Sequence, residues 1–331
     1  MVSRTKYKIG NQTIGALLRA AGLGEAARIV PLGAGEYNAV FSVTAGGKEY
    51  VIKIAPEDGN PAVMTCEKGM MAAEVFWYKM IREQTSITVP EIYAVDLERR
   101  YIPTDYFIME KLPGLTLDKM RLSKAEKEEA AAQMAQMAAQ IHGIKNSRFG
   151  SVQGELYGDW HRAVRAMVRM MLDDCARKGR RSKRGERLLA YIDQYTGVLR
   201  QAECCMVNSD LWPPNIVCKR ENGAIHYAWI DVERSYWGDR VVDFVSLEMM
   251  APLAEKKATL AAYNAAAEQP VLATEEEKIR YAVAQAYLGL AMETEKYFRY
   301  TPRHFGWWRD VFASKWLFAR AFGVLDAMRN A

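Results

Sequence analysis

Cysteine is sparse and irregularly placed: the chain has five among 331 residues. Cys204 and Cys205 are adjacent, and Cys66, Cys175 and Cys218 are scattered without a metal-ligand spacing. An odd set with that distribution excludes a disulfide framework and points to a reduced, cytoplasmic setting. Long apolar runs are also missing, since no window reaches the ~18 apolar residues of a membrane span. The opening segment MVSRTKYKIGNQTIGALL has no uninterrupted apolar stretch followed by a small-residue cleavage site, so neither export nor anchoring is expected. There is no internal repeat, no low-complexity tail and no G-x-x-x-x-G-K-S/T phosphate loop, which disfavours that class of nucleotide binder.

What is present is enough apolar material, half of all residues, to fill more than one core, so two lobes are the first expectation. The formal net charge of +5 is concentrated. The segment CARKGRRSKRGER, residues 175–187, has seven basic residues against one acid, an excess of +6 that leaves the rest of the chain near −1. A charge confined to one segment reads as a solvated connection between helices, with a docking patch for an anionic partner as the minor alternative. No nucleic-acid or membrane partner is expected.

Residues 14–21 form a short amphipathic helix ended by Gly22, and residues 28–55 alternate like paired strands around a Gly46-Gly47 turn. Residues 66–84 carry helical periodicity, and strand-like runs follow at 91–96 and 106–111 before Pro113-Gly114 breaks the pattern. Beyond that break the chain turns helical at 123–142, 160–176, 186–199, 253–268, 274–299 and 306–328. Its strongest β signal is a hairpin over 215–230 turning at Asn222-Gly223. These patterns predict an α+β fold: an N-terminal antiparallel sheet with one helix over residues 1–112, and a larger, mostly helical lobe over 113–331.

The segment MVNSDLWPPNIVCKRENGAIHYAWIDVERSYWGDRVVDF, residues 206–244, is the most informative. It places Asp210 on a turn with Pro213 and Pro214, Asn215 five residues later, and Asp231 at the end of an apolar strand. In that order, one carboxylate can orient an attacking hydroxyl while an amide and a second carboxylate supply oxygen ligands to magnesium. Each residue alone is an ordinary turn former. Upstream, Gly33 and Gly35 sit in a turn whose backbone N–H groups can approach phosphates, although two glycines by themselves mark only a tight turn. Lys53 lies amid apolar strand residues, opposite in direction to Ile52 and Ile54, which taken alone reads as exposure. A partner on the helix, Glu74 in preference to Glu67, would instead hold it against the α- and β-phosphates of a nucleotide. Met109, Glu110 and Leu112 end a strand at the break, where backbone groups can meet an adenine edge or merely connect the lobes.

These motifs resemble the aminoglycoside phosphotransferase and choline kinase family of small-molecule kinases, which shares the protein-kinase fold. The family's H-G-D-x-x-x-x-N segment appears as Asn208-Ser209-Asp210-Leu211-Trp212-Pro213-Pro214-Asn215, and its second aspartate appears as Ile230-Asp231 followed by Gly238-Asp239 and Asp243. Glu74, Val89-Pro90, Met109-Glu110, Pro113-Gly114 and the run from Met137 to His142 match in order, so the resemblance spans residues 28–250. It implies Asp210 as catalytic aspartate, Asn215 and Asp231 as Mg²⁺ ligands, Lys53 as phosphate clamp and Met109 to Leu112 as nucleotide hinge, with ATP or GTP as co-substrate. Asn208 stands where the family has histidine and Ser209 where it has glycine; both positions brace the loop. Glu233 faces either substrate or solvent, and Asp239 and Asp243 read as loop and helix caps.

Asp243 follows Asp231 by only twelve positions, too few to dock a polypeptide, so a small acceptor is implied. The aromatic and acidic C-terminal helices, with Tyr297, Trp307, Trp308, Glu293, Glu295 and Asp310, suit core packing first and a cationic acceptor second. The expected acceptor is an aminoglycoside or another hydroxylated antibiotic. The alternatives are a metabolic kinase for choline or ethanolamine, a sugar or an amino-acid-like alcohol, and an inactive nucleotide-binding member. The chain is expected to be a monomer or homodimer.

Overall fold

The computed structural model of the chain describes residues 4–33 and 37–329. It begins with α1 (Asn11–Ala20), β1 (Ala26–Pro31), β2 (Ala39–Ala45), β3 (Lys48–Ile54), α2 (Met70–Gln84), β4 (Ile92–Asp96) and β5 (Tyr106–Glu110). The five strands form one antiparallel sheet in the order β1-β2-β3-β5-β4. Gly46 and Gly47 turn β2 into β3 with φ of 55° and 76°, a backbone that a side chain would strain at both positions.

Both faces of this sheet are covered, and that decides where β3 points its lysine. Tyr50, Ile52 and Ile54 share a core with Ile14, Leu17 and Leu18 of α1. Val51, on the opposite face, belongs to the larger core with Trp77, Tyr78 and Ile81 of α2. The period-2 alternation therefore sends Lys53 toward α2, where it is 5% exposed. The helix expected from residue 66 starts only at Met70. A separate turn, Thr65–Glu67, precedes it, and Gly69 adopts a left-handed φ of 72° between them. Glu67 thus lies off the helix that carries Glu74.

The second part contains β6 (Leu115–Thr116), α3 (Lys124–His142), α4 (Trp160–Arg177), α5 (Lys183–Gln194), α6 (Thr196–Leu199) and β7 (Cys204–Val207). It continues with β8 (Ile216–Glu221), β9 (Ala224–Trp229), β10 (Tyr236–Asp239), α7 (Asp243–Ser246), α8 (Lys257–Ala266), α9 (Glu275–Arg299) and α10 (Phe305–Arg329). The β8–β9 hairpin forms with Asn222 and Gly223 at its turn, as the sequence predicts. Two further pairings accompany it: β7 with β10, and the short β6 with β8. The sequence hides them because β7, CCMV, is a buried run without alternation. β10, YWGD, contains two poor strand formers. The helix expected over 186–199 is two helices meeting at Tyr195. The helix expected from 253 begins at Lys257 after a single turn.

The basic segment between α4 and α5 is tied down rather than free. Arg177 pairs with Asp174, Arg181 with Glu186, Arg184 with Glu293 and Arg187 with Asp326. Lys178 donates to the Pro61 carbonyl, and Arg180 lies over the Tyr297 ring. With most of its charge neutralised locally, the segment links helices, which is the reading its composition first suggested.

The break at Pro113-Gly114 has a steric basis. Gly114 has φ +128°, and a Cβ there would lie 2.2 Å from the Cys218 carbonyl oxygen on β8. Gly114→Ala should therefore cost about 3 kcal/mol or more of stability, read as a lower midpoint of urea unfolding; an unchanged midpoint would refute the close approach.

Candidate active site

The site is built around one buried lysine. Lys53 Nζ lies 2.7 Å from Glu74 Oε2 on α2, 2.7 Å from Asp231 Oδ1 just past β9, and 2.9 Å from Glu233 Oε2. Burial alone would favour the neutral amine, but Asp231, Glu233 and Glu74 hold the ammonium pKa well above its usual range. Burial, with Asp231 and Glu233 adding to it, pushes the Glu74 carboxyl upward, and Lys53 opposes that shift. Glu233, read from sequence as facing substrate or solvent, is instead buried against Lys53. It also accepts a hydrogen bond from Asn38 Nδ2 at 2.7 Å, tying the loop before β2 to the site. Glu67 goes elsewhere, forming a buried ion pair with Arg299 of α9.

Asp231 is held in a left-handed conformation, φ 63°, and its N–H donates to the Tyr78 hydroxyl at 2.8 Å. Tyr78 lies one helical turn beyond Glu74 and so faces the same way. It braces the site, and neither its type nor its spacing marked it in the sequence.

The Asp210 loop is fastened from below. Asp243, the first residue of α7, accepts the N–H groups of Asn208 at 2.9 Å and Ser209 at 2.7 Å. Its other oxygen lies 3.0 Å from His142 Nε2, and His142 Nδ1 lies 2.8 Å from the Tyr263 hydroxyl. Ser209 has φ 57°, the conformation in which a glycine is most at ease. Asn208 spans the loop: its Nδ2 donates to Ser235 Oγ at 2.9 Å, and its Oδ1 accepts the Asp210 N–H at 3.1 Å. An amide can do both at once, so asparagine suits this bracing position. Asp239 caps the next turn through Val241 N–H and pairs with Arg280 at 2.7 Å.

Asp210 and Asn215 meet directly. Asn215 Nδ2 donates to the Asp210 carbonyl at 3.0 Å and to its Oδ2 at 3.3 Å, which leaves the Asn215 side-chain oxygen free of these bonds. Burial, then Asp231, Glu233 and Glu295, push the Asp210 carboxyl up to about 7, opposed by Arg234, whose Nε lies 3.9 Å away. The side chain still keeps 35% of its surface open, so it is accessible to a reacting group.

The donor set fits a hard divalent cation. Asn215 and Asp231 offer only oxygen, and the Asp231 side chain is 40% exposed. Glu74, Asp231 and Glu233 also converge within 4.8 Å, but the Lys53 ammonium already serves that trio, so Asp231 with Asn215 is the better metal pair. Of the expected hinge, Met109 is buried in the core. The Glu110 N–H is committed to the Glu91 carbonyl at 2.7 Å and the Lys111 N–H to Glu49 at 3.3 Å. Leu112 N–H has no hydrogen-bond partner among the described residues. Gly33 has open space where a Cβ would stand, so nothing else in the fold requires glycine there. Gly35 lies outside the described residues. No helix among the described residues is long and apolar enough to cross a membrane.

The architecture has close counterparts. A candidate fructosamine-3-kinase of Haemophilus somnus 129PT superposes with a TM-score of 0.68 at 16% identity, over 94% of this chain and 97% of that one. A microcompartment-associated aminopropanol kinase gives 0.62 at 15% identity, over 95% and 98%. Aminoglycoside phosphotransferase APH(4)-Ia gives 0.61 at 16% identity, over 96% and 99%. At such identities these structures establish the protein-kinase-like fold alone. Among curated proteins none matches the sequence. The model of the phosphotransferase enzyme family does match, over residues 28–280: the chain belongs to that family and is a phosphotransferase with an alcohol group as acceptor.

Proposed function

We propose that the chain moves the γ-phosphoryl group of ATP, or GTP, to a hydroxyl of a small molecule, with residues 1–112 binding the nucleotide and 113–331 the acceptor. The observation that carries this reading is the convergence of Lys53, Glu74 and Asp231 from three separated segments, beside the paired Asp210 and Asn215. Supporting the nucleotide, APH(4)-Ia variants form ternary complexes with ADP and hygromycin B and with AMP-PNP and hygromycin B. Asn215 and Asp231 would hold Mg²⁺, which supplies charge neutralisation on the phosphates.

In this reading Glu74 keeps Lys53 aimed at the phosphates, and the exposed turn at Gly33, with Gly35 after it in the sequence, covers them. The uncommitted Leu112 N–H, with Met109 and Glu110 beside it, meets the adenine edge. Asp210 orients the acceptor O–H. As the acceptor oxygen bonds to phosphorus and the bridging bond to the nucleoside diphosphate breaks, the proton passes to the Asp210 carboxylate. An aspartate at about 7 is a better proton acceptor than one near ~3.9.

For the acceptor, an aminoglycoside or another hydroxylated antibiotic is the first reading, and a metabolic amino alcohol or sugar the second. The neighbours named for fructosamine, aminopropanol and aminoglycosides join hydroxyl and amine in one molecule. The full set of Lys53, Asp210, Asn215 and Asp231 weighs against an inactive member.

ADP release with Mg-ATP or Mg-GTP across amino alcohols, sugars and aminoglycosides tests this reading. Asp210→Asn should lose on the order of 10²-fold or more in turnover while nucleotide still raises its melting temperature; an unchanged rate would sink the assignment. In the wild type, kcat/KM should fall as pH drops below about 7 and Asp210 takes up its proton. A rate flat from pH 8 to pH 5 would exclude Asp210 as the group that must be ionised. The same group links to stability. Its folded pKa lies above the unfolded value, so its favourable contribution is complete below about pH 4 and is lost as pH rises through about 7. Asp210→Asn should thus match the wild type at pH 4 and exceed it at pH 8. The gain should be about 1–2 kcal/mol, after discounting for the open third of the side chain, and is measurable by urea unfolding at the two pH values.

A further inference from the structure

Arginines near the site are almost all committed. Arg299 is buried on Glu67 and the Ala62 carbonyl, and Arg280 pairs with Asp239 at 2.7 Å. Arg234, three residues past Asp231, is different. Its Nε is 3.9 Å from Asp210 Oδ2 and its Nη2 is 3.5 Å from Glu295 Oε1 on α9. None of its five N–H groups donates a hydrogen bond among the described residues, and a third of its side chain, 33%, is open. Glu295 is likewise partly open, at 23%, and its other ion pair, to Arg299, is a loose 3.8 Å. A rigid guanidinium fork with unused donors, desolvated on one side and open on the other, is shaped to receive a planar anion in two parallel hydrogen bonds. Beside it stands Glu295, whose ion pairs to Arg234 and Arg299 are both long, at 3.5 and 3.8 Å.

We propose that Arg234 and Glu295 are the specificity-determining pair for the acceptor, and that the acceptor is a hydroxylated zwitterion: its carboxylate seats on Arg234, its ammonium on Glu295, and its hydroxyl on Asp210. The proposal rests on the phosphotransferase reading and narrows its substrate class. The 3.9 Å between Arg234 and Asp210 places the carboxylate and the reacting hydroxyl on the same short molecule, about two to four carbons apart once each makes a normal hydrogen bond. Of the two acceptor readings, the pair favours the metabolic one, in its amino-acid-like form.

The test uses matched probes: hydroxy-α-amino acids such as L-serine and L-homoserine, and their decarboxylated counterparts ethanolamine and 3-aminopropan-1-ol, with kanamycin as polycation. Thermal shift on the full chain reads binding, and ADP release reads turnover. The expected result is that hydroxy-amino acids raise the melting temperature and are turned over at least tenfold better in kcat/KM than their decarboxylated partners. Arg234→Gln should remove that preference through the KM of the acids, and Arg234→Lys should restore part of it. Glu295→Gln should weaken acids and amines alike. A wild type that binds and turns over the amines or kanamycin at least as well as the acids overturns the zwitterion while leaving the phosphotransferase reading intact. An Arg234→Gln variant that loses kcat equally for every acceptor also overturns it, and assigns Arg234 to the phosphoryl group in transit. A carboxylate-dependent thermal shift without ADP release upholds the anchor and sinks the phosphotransfer reading instead; no shift and no preference with any acid removes the anchor.

Discussion

The site depends on a charge imbalance that the fold creates and only partly resolves. Three carboxylates, from α2 and from the strand-end loop after β9, meet within 4.8 Å around a single ammonium. Lys53 cannot neutralise all three, and burial makes every uncompensated charge expensive. The arrangement persists because the surrounding core over-determines it. Trp77, Tyr78 and Ile81 fix the face of α2, and Asp231 is pinned by Tyr78 through its own backbone. The residual negative charge beside Asn215 and Asp231 is of the kind that a divalent cation would relieve under the proposed function.

Around this centre the fold uses polar atoms as struts. Asp243 clamps two consecutive N–H groups of the Asp210 loop and is itself held by His142. Asn208 laces the loop to Ser235. Ser209 and Asp231 both sit in left-handed conformations. Such strain collects where geometry matters to function, and here it aims the Asp210 and Asp231 carboxylates from adjoining loops. Asn38, just before β2, joins the network through Glu233.

Much of the site was legible because it is local in sequence. Asp210 and Asn215 are five residues apart on one turn, and Asp231 closes the hairpin that starts at Asn215, so order and spacing alone assemble them. Other members were not legible. Lys53 taken alone read as exposed, because nothing local reveals that α1 covers the opposite face of the sheet; only the Glu74 partner expected on the next helix pointed to the inward turn that the structure has. Glu233 read as facing either substrate or solvent, and Arg234 beside it drew no attention, since an Arg in a short loop has no pattern. Glu295 was seen only as part of an aromatic and acidic helix. The basic run between α4 and α5 suggested a possible docking patch until its partners, Asp174, Glu293 and Asp326, proved to come from its own helix and from α9 and α10.

By itself the sequence determined the periodicities that make the sheet and most helices, the turns at Gly46-Gly47 and Asn222-Gly223, the break at Gly114, and the ordered Asp210, Asn215 and Asp231. These follow from backbone preference and short spacing, which act within a few residues. Tertiary structure alone decided that β7 pairs with β10, that Glu67 leaves the helix to pair with Arg299, that Glu233 is buried against Lys53, and that Arg234 lies between Asp210 and Glu295. Each of those outcomes depends on which segments exclude water from which others, and on charges brought together across long stretches of chain.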